Sequence, residues 1–452
     1  MTADRPRSSP PLRASIVLGI ALACALASSS CSRRLPTSPS AANAPRGTNA
    51  AQSADSDSTD NADAEVMVTL APGVDPVAFG REYGATLIES DASGAATYRP
   101  AAGELPAALA TRMGADPRVI SSEPNAYLET AESRQQSFAF DDGRGIPQFY
   151  ASQPATDAIG LQVAQRESRG RGVLVAILDT GAELTHPALA GRIAGGWDFV
   201  SNDADPTDEP DGIDNDLDGY IDEARGHGTH VAGIVARTAP DARLLIVRVL
   251  DADGRGDMLS VASGIHWAMD HGARVINMSL GMMHPSTAIE NLLAQAEARG
   301  IVVVTSAGNW GADSPVEFPA SSAHAIAVAA VDDAGIAASF TSHGSFVGLS
   351  APGVAICSAY YGGRYALWSG TSMAAPFVSG AAALLLAIHP QWGRQQVVDR
   401  LSASAQVLDG LNPDIAGELG AGGLDAASAL APDFSAGAAP GDLAPGPVLR
   451  RP

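Results

Sequence analysis

The chain has 452 residues, room for one large and one small domain with substantial cores. Hydrophobic residues make up 46%, with 47 Gly and 30 Pro, which excludes a fibre or a wholly disordered chain and suits a loop-rich globular enzyme. Lys and Arg total 28 against 50 Asp and Glu, a formal charge of -22, so charge-driven binding to nucleic acid or an anionic membrane surface is disfavoured.

Residues 1–31 are expected to be an export signal. Arg5, Arg7 and Arg13 precede an apolar run from Ser15 to Ala27 that is too short for a membrane span. Cys31, after Ser28, Ser29 and Ser30, resembles the lipid-modified cysteine of bacterial lipoproteins. That pattern favours Leu three residues earlier, and Cys24 is a rival, so release after cleavage and lipid anchoring at the cell envelope are both consistent with these residues. Cys357 is the only cysteine outside this region, so no internal disulfide is expected and another staple is.

Residues 32–63, rich in Ser, Ala, Asn, Pro and Asp, cannot offset ordering entropy and read as a disordered linker. Residues 64–131 then follow a β-α-β-β-α-β pattern, with an Asp75-Pro76 helix start, a Gly84 stop and a last strand in RVISSEPNAYLE. The pattern suggests a small α+β, ferredoxin-like domain. Residues 132–146 are polar and Gly-containing, an exposed and cleavable junction.

From 147 to 432 apolar runs such as VLVAIL, RVINMSL and IVVVTSAG alternate with helix-like stretches. Continuous apolar strands fit a sheet buried on both faces, so an α/β, doubly wound, mostly parallel sheet is expected, with its site beyond the carboxyl ends of the strands. Residues 433–452 read as a disordered tail.

Three segments carry chemistry together. Asp179 follows an apolar strand and precedes Thr180-Gly181; His227 stands at a helix start in GHGTHVAGIVA; Ser372 lies in GTSMAAP, at the first turn of an apolar helix. Each has a plainer explanation alone, as a turn residue, a structural histidine or a helix cap. A serine hydroxyl is a weak nucleophile that needs a base within hydrogen-bond reach and an acid behind the base. The three segments supply all three parts, and His230 is then expected to be structural.

At these residues the chain resembles the subtilisin-like (subtilase) serine proteases, whose order Asp, His, Ser is the order here. The resemblance implies Ser372 as nucleophile, His227 as base then acid, Asp179 as orienting carboxylate, and Asn309 of SAGN as the side-chain donor to the oxyanion beside the backbone N–H of Ser372. It makes residues 64–131, ending near Glu123-Pro124-Asn125, an inhibitory propeptide and intramolecular partner. Polypeptides are the implied substrates and no catalytic cofactor is implied. Ser279, Leu280 and Gly281 match the strand end that pairs with substrate backbone. Met282 and Met283, where the family has small residues, are expected to reshape neighbouring subsites.

Glu317, directly before Phe318-Pro319, falls by resemblance near the base of the primary specificity pocket. A carboxylate there would favour Lys or Arg before the cut bond and self-cleavage after Arg134 or Arg144; pointing to solvent, it would do neither. Asp214, Asp216, Asp218 and Asp222 alternate around Gly219 like the start of an EF-hand loop, a structural Ca²⁺ site or a solvated acidic insertion. The twelfth position from Asp214 is Arg225 rather than the bidentate Glu of that motif. The expectation is an exported, monomeric serine endopeptidase made as a self-processed zymogen. The competing reading is a non-catalytic surface lipoprotein that kept the fold to bind Ca²⁺ or peptides.

Overall fold

The computed structural model describes residues 64–134, 137–311 and 316–432. The expected export signal, Cys31, the linker and the C-terminal tail lie outside the described residues.

The first module follows the expected order: β1 (Val66–Leu70), α1 (Pro76–Tyr83), β2 (Thr86–Ser90), β3 (Ala95–Arg99), α2 (Pro106–Gly114) and β4 (Val119–Pro124). Asp75 sets the start of α1 by accepting the backbone N–H of Val77 at 2.9 Å and of Ala78 at 3.3 Å, and Gly84 ends it at φ 67. The strands form an antiparallel sheet in the order β2-β3-β1-β4. Val66, Val68, Phe79, Tyr98, Leu109 and Met113 form its core.

The last strand expected in this module breaks in two. Pro124 has no N–H to continue a ladder, and the chain leaves the sheet there. β5 (Tyr127–Glu129) pairs instead, antiparallel, with β9 (Arg255–Asp257) of the following domain. A helical turn, α3 (Ala131–Arg134), comes next, followed by short helices α4 (Pro147–Ser152), α5 (Pro154–Ala158) and α6 (Leu161–Glu167).

Seven strands build the second sheet: β6 (Leu174–Asp179), β7 (Ile193–Asp198), β8 (Arg243–Arg248), β10 (Val275–Met278), β11 (Val302–Ser306), β12 (Ala325–Val331) and β13 (Val347–Pro352). Their order is β13-β12-β11-β10-β6-β8-β7, with every neighbouring pair parallel. Alternate residues point to opposite faces. Val175, Ile177, Ile246 and Val304 pack under α7 (His227–Thr238) and α10 (Thr371–Ile388), whereas Leu178, Val247, Ile276 and Val303 pack under α8 (Met258–Asp270) and α9 (Thr287–Ala298). This is the doubly wound α/β fold read from the apolar runs.

Among the described residues α10 is the one helix long and apolar enough to cross a membrane, but 89% of that window is buried inside the protein, so it is a core helix. The hairpin β14 (Ile356–Tyr360) and β15 (Arg364–Trp368) leads into it, and α11 (Arg394–Ser404) and α12 (Ala426–Leu430) follow. Strand order runs one way from β6 and the other way from β10, which puts the topological switch, and with it the crevice for a ligand, at their carboxyl ends.

Candidate active site

Asp179 is the last residue of β6, His227 the first of α7 and Ser372 the second of α10, so three segments distant in sequence meet at the switch point. All three side chains are buried. Asp179 Oδ1 lies 2.7 Å from His227 Nδ1 and accepts the N–H of Thr180 at 2.8 Å. The approach demands glycine beside the imidazole. A Cβ on Gly228 would lie 2.1 Å from the Gly181 carbonyl oxygen, and Gly226, at φ 90, would meet the Tyr360 ring at 2.5 Å. Trp368 contacts the His227 ring edge-on, centroids 5.3 Å apart.

Asn309 sits past the end of β11. Its Oδ1 accepts both the N–H and the hydroxyl of Thr371 at 2.9 Å, and Thr371 Oγ1 accepts the N–H of Gly308 at 3.1 Å. Because the Thr371 amide can only donate, Oδ1 is the atom facing it, and Nδ2 points to the space before Ser372.

A fifth residue fills that space. Glu132, in α3, is fully buried. Its Oε2 accepts the Ser372 hydroxyl at 2.5 Å and lies 3.2 Å from His227 Nε2, while Oε1 accepts Asn309 Nδ2 at 2.9 Å. Burial opposes charge on His227, but the carboxylates of Asp179 and Glu132 outweigh it and raise its pKa to about 10. Burial likewise opposes charge on Glu132, yet His227, Ser372 and Asn309 hold it below the usual carboxylate range.

Asp208 also escaped the sequence reading. Its Oδ2 accepts the Gly226 N–H at 2.6 Å and the Thr180 hydroxyl at 3.2 Å, and Thr180 Oγ1 accepts the Gly228 N–H at 3.1 Å. The segments bearing Asp179 and His227 are thereby tied together. Burial pushes the Asp208 carboxyl up to about 7. His230 is structural as expected: its Nε2 donates to the carbonyls of Ile356 and Ala366 at 3.1 and 3.2 Å.

Gly281 exchanges two backbone hydrogen bonds of 2.9 Å with Glu129, and Thr130 N–H donates to the Gly254 carbonyl at 3.0 Å. With its β9 pairing, β5 is an added strand between two edges of the cleft. The Ser279 hydroxyl donates to the Ser372 carbonyl at 3.1 Å and accepts Asn277 Nδ2 at 3.0 Å. Leu280 is buried in the core beneath α8. Met282 is buried in the same cluster, which includes Leu128 of β5, and its backbone pairs with Phe318. Arg144 is exposed and ion-paired to Asp142, apart from the paired stretch.

Glu317 does not point to solvent, being 2% exposed. Its Oε1 accepts the Trp310 indole N–H at 2.6 Å, and its Oε2 lies 2.7 Å from where a Cβ of Gly281 would be and 3.0 Å from that of Gly308. The carboxylate thus sits between the two strand ends that flank Ser372. In the acidic loop the carboxylates of Asp214, Asp216 and Asp218 have oxygens within 4.8 Å of one another. Asp222 is not in that group; it accepts the N–H groups of Asp211 and Gly212. Arg225, at the expected glutamate position, stacks on Tyr361.

Comparison with known proteins supplies the family. Residues 170–428 match the Subtilase family. The chain is 41% identical over 252 residues to Subtilisin BL of Lederbergia lenta, covering 54% of this chain and 87% of that protein. It is 41% identical over 249 residues to Thermitase of Thermoactinomyces vulgaris, covering 53% and 84%. Fervidolysin from Fervidobacterium pennivorans, a keratinolytic enzyme related to subtilisin, shares the fold with a TM-score of 0.66 at 24% identity, over 81% of this chain and 60% of that one. A buried Asp–His pair aimed at a serine on a core helix, at the switch point of this sheet, therefore has a family to match: the chain belongs to the Subtilase family and is a serine endopeptidase.

Proposed function

We propose that this endopeptidase is exported, secreted or anchored through Cys31, and made as a self-processing zymogen whose triad is Asp179, His227 and Ser372. The observation that carries the assignment is the buried 2.7 Å contact between Asp179 and His227, with Ser372 at the start of α10 beside it. Ser372 Oγ attacks the peptide carbonyl as its proton passes to His227 Nε2. The tetrahedral oxyanion is held by Asn309 Nδ2 and the Ser372 N–H; the C–N bond then breaks as His227 returns the proton to the leaving amine, and water hydrolyses the acyl ester. Substrate backbone pairs along Ser279 to Gly281, a role supported by the way β5 lies there. The test compares wild type with Ser372→Ala: the wild-type chain should shorten and label with a fluorophosphonate, the variant should do neither, and equal behaviour defeats the proposal.

Residues 64–131 act as the propeptide. Support comes from their docking: Glu123 accepts the Ser286 hydroxyl at 3.0 Å and the N–H groups of Thr287 and Ala288 at 3.1 and 2.9 Å, capping α9 where the helix dipole favours an anion. The enzyme works as a monomer on polypeptides.

The placement of Glu317 supports a preference for Lys or Arg immediately before the cut bond. Glu317→Gln removes one charge from a charge-assisted contact, so kcat/KM on a Lys substrate should fall about 10- to 100-fold while a Leu substrate is little changed. A parallel loss on both substrates would reassign Glu317 to pocket shape.

Asp214, Asp216 and Asp218 hold structural Ca²⁺. Burial, followed by Asp218 and Asp253 as like charges, raises the Asp216 pKa to about 6, a repulsion a divalent cation would relieve. At a free concentration of about 100 Kd, Ca²⁺ should stabilise the protein by about 2.7 kcal/mol. Calorimetry of Ser372→Ala with Ca²⁺ and with chelator reads this out, and the response should vanish in Asp214→Asn. A melting temperature indifferent to Ca²⁺ leaves the loop a solvated insertion.

A further inference from the structure

Glu132 is a buried acid that the hydrolytic cycle does not use. We propose that it is a carboxylate latch that holds the catalytic centre of the uncut precursor shut, a role that rests on the protease reading above. An inhibitory strand such as β5 blocks substrate from the cleft edges but leaves the reacting groups themselves free. Glu132 engages those groups directly.

Its two oxygens divide the work. Oε1 takes the Asn309 Nδ2 hydrogen bond at 2.9 Å, the donor meant for the developing oxyanion, so a full negative charge already stands where a transient one would form. Oε2 accepts the Ser372 hydroxyl hydrogen bond at 2.5 Å and faces His227 Nε2 at 3.2 Å. The nucleophile thus donates to the acid and not to its base. The imidazole lies between two carboxylates, Asp179 on Nδ1 and Glu132 on Nε2, an arrangement that keeps both nitrogens protonated and removes the acceptor Ser372 requires.

The chain clamps the latch on both sides. Before it, β5 is fixed to β9 and Gly281, and Thr130 Oγ1 accepts the Ser133 N–H at 3.2 Å to cap the turn that carries Glu132. After it, Ser137 N–H donates to the Glu132 carbonyl at 2.8 Å, the Ser137 hydroxyl to the Ser369 carbonyl at 3.1 Å, and the Trp368 indole to the Ser137 carbonyl at 2.9 Å. Opposite, Gly370 leaves the space: a Cβ there would lie 1.7 Å from Glu132 Oε1. Because residues 131–134 form a helical turn rather than an extended strand, the precursor rests in a non-productive arrangement, and any self-cleavage in this segment begins with Glu132 withdrawing.

The test follows first-order disappearance of the full-length chain in wild type, Glu132→Gln and Glu132→Ala, and then labels the products with a fluorophosphonate. Loss of a hydrogen-bonded charge of this kind should shorten the half-life of the intact Glu132→Ala chain about 10- to 100-fold. Glu132→Gln, which keeps the shape but not the ion pair with His227, should fall between. Products of all three should label alike. Half-lives equal to or longer than wild type, in variants with wild-type melting and normally labelled products, overturn the latch and leave the protease reading intact. Should Glu132→Ala fail to fold, the isosteric Glu132→Gln decides alone: an unchanged half-life overturns the proposal. No labelling in any of the three sinks both readings.

Discussion

Replacing Ser372 by Ala should lower kcat of the matured enzyme about 10⁶-fold, and adding His227→Ala should cost almost nothing more. The reason lies in the shared proton. On the proposed triad, His227 would accelerate the reaction only by accepting from Ser372, and Ser372 would attack only when His227 accepts, so whichever is removed first should take the contribution of both. In the same proposal Asp179 stands one step back, its 2.7 Å contact serving to fix the tautomer and orientation of the ring. Asp179→Asn should therefore cost less, about 10⁴-fold, because nucleophile and base remain. On the proposed zymogen reading, neither Ser372→Ala nor His227→Ala should cut itself, so each would be matured by a trace of wild-type enzyme, inactivated before single-turnover hydrolysis of a peptide is followed. Additive losses in the double variant would show that Ser372 and His227 do not act as one unit.

The parts of this site that were legible share a physical property: each advertises itself locally. Asp179 ends an apolar strand, His227 needs small neighbours for its ring, and Ser372 opens a helix too apolar to face water. The alternation of apolar runs with helical segments likewise specified a parallel sheet, because strands buried on both faces cannot alternate polar with apolar. What escaped depends on contacts made across the fold. Glu132 lies in a polar junction that reads as exposed; only the docking of β5 on β9 carries it into the cleft. Asp208 was indistinguishable from the acidic residues around it, and its role comes from meeting Thr180 and Gly226 in space. The same holds for Met282, whose burial beside Leu128 of β5 and pairing with Phe318 are made across the fold. The burial of Glu317 was not legible either, because it rests on Trp310 and on the absence of side chains at Gly281 and Gly308.

Asn309 is the residue whose removal should affect the chemical step with the least disturbance of binding. Its Oδ1 is held by two donors of Thr371, so the Nδ2 donor is fixed before substrate arrives and costs no reorganisation in the transition state. Asn309→Ala should reduce kcat of the matured enzyme about 100- to 1,000-fold with KM nearly unchanged, since the donor meets full negative charge only after attack. Asn309→Asp keeps the shape and reverses the polarity. One carboxylate oxygen can still accept from Thr371, but the other replaces the donor with an acceptor facing the developing oxyanion, so its loss should equal or exceed that of Asn309→Ala. In the full chain the same nitrogen donates to Glu132, so on the proposed zymogen reading the matured form is the one to assay. If KM rises while kcat holds, Asn309 binds the ground-state carbonyl as strongly as the transition state, and the stabilisation assigned to it must come from the Ser372 N–H instead.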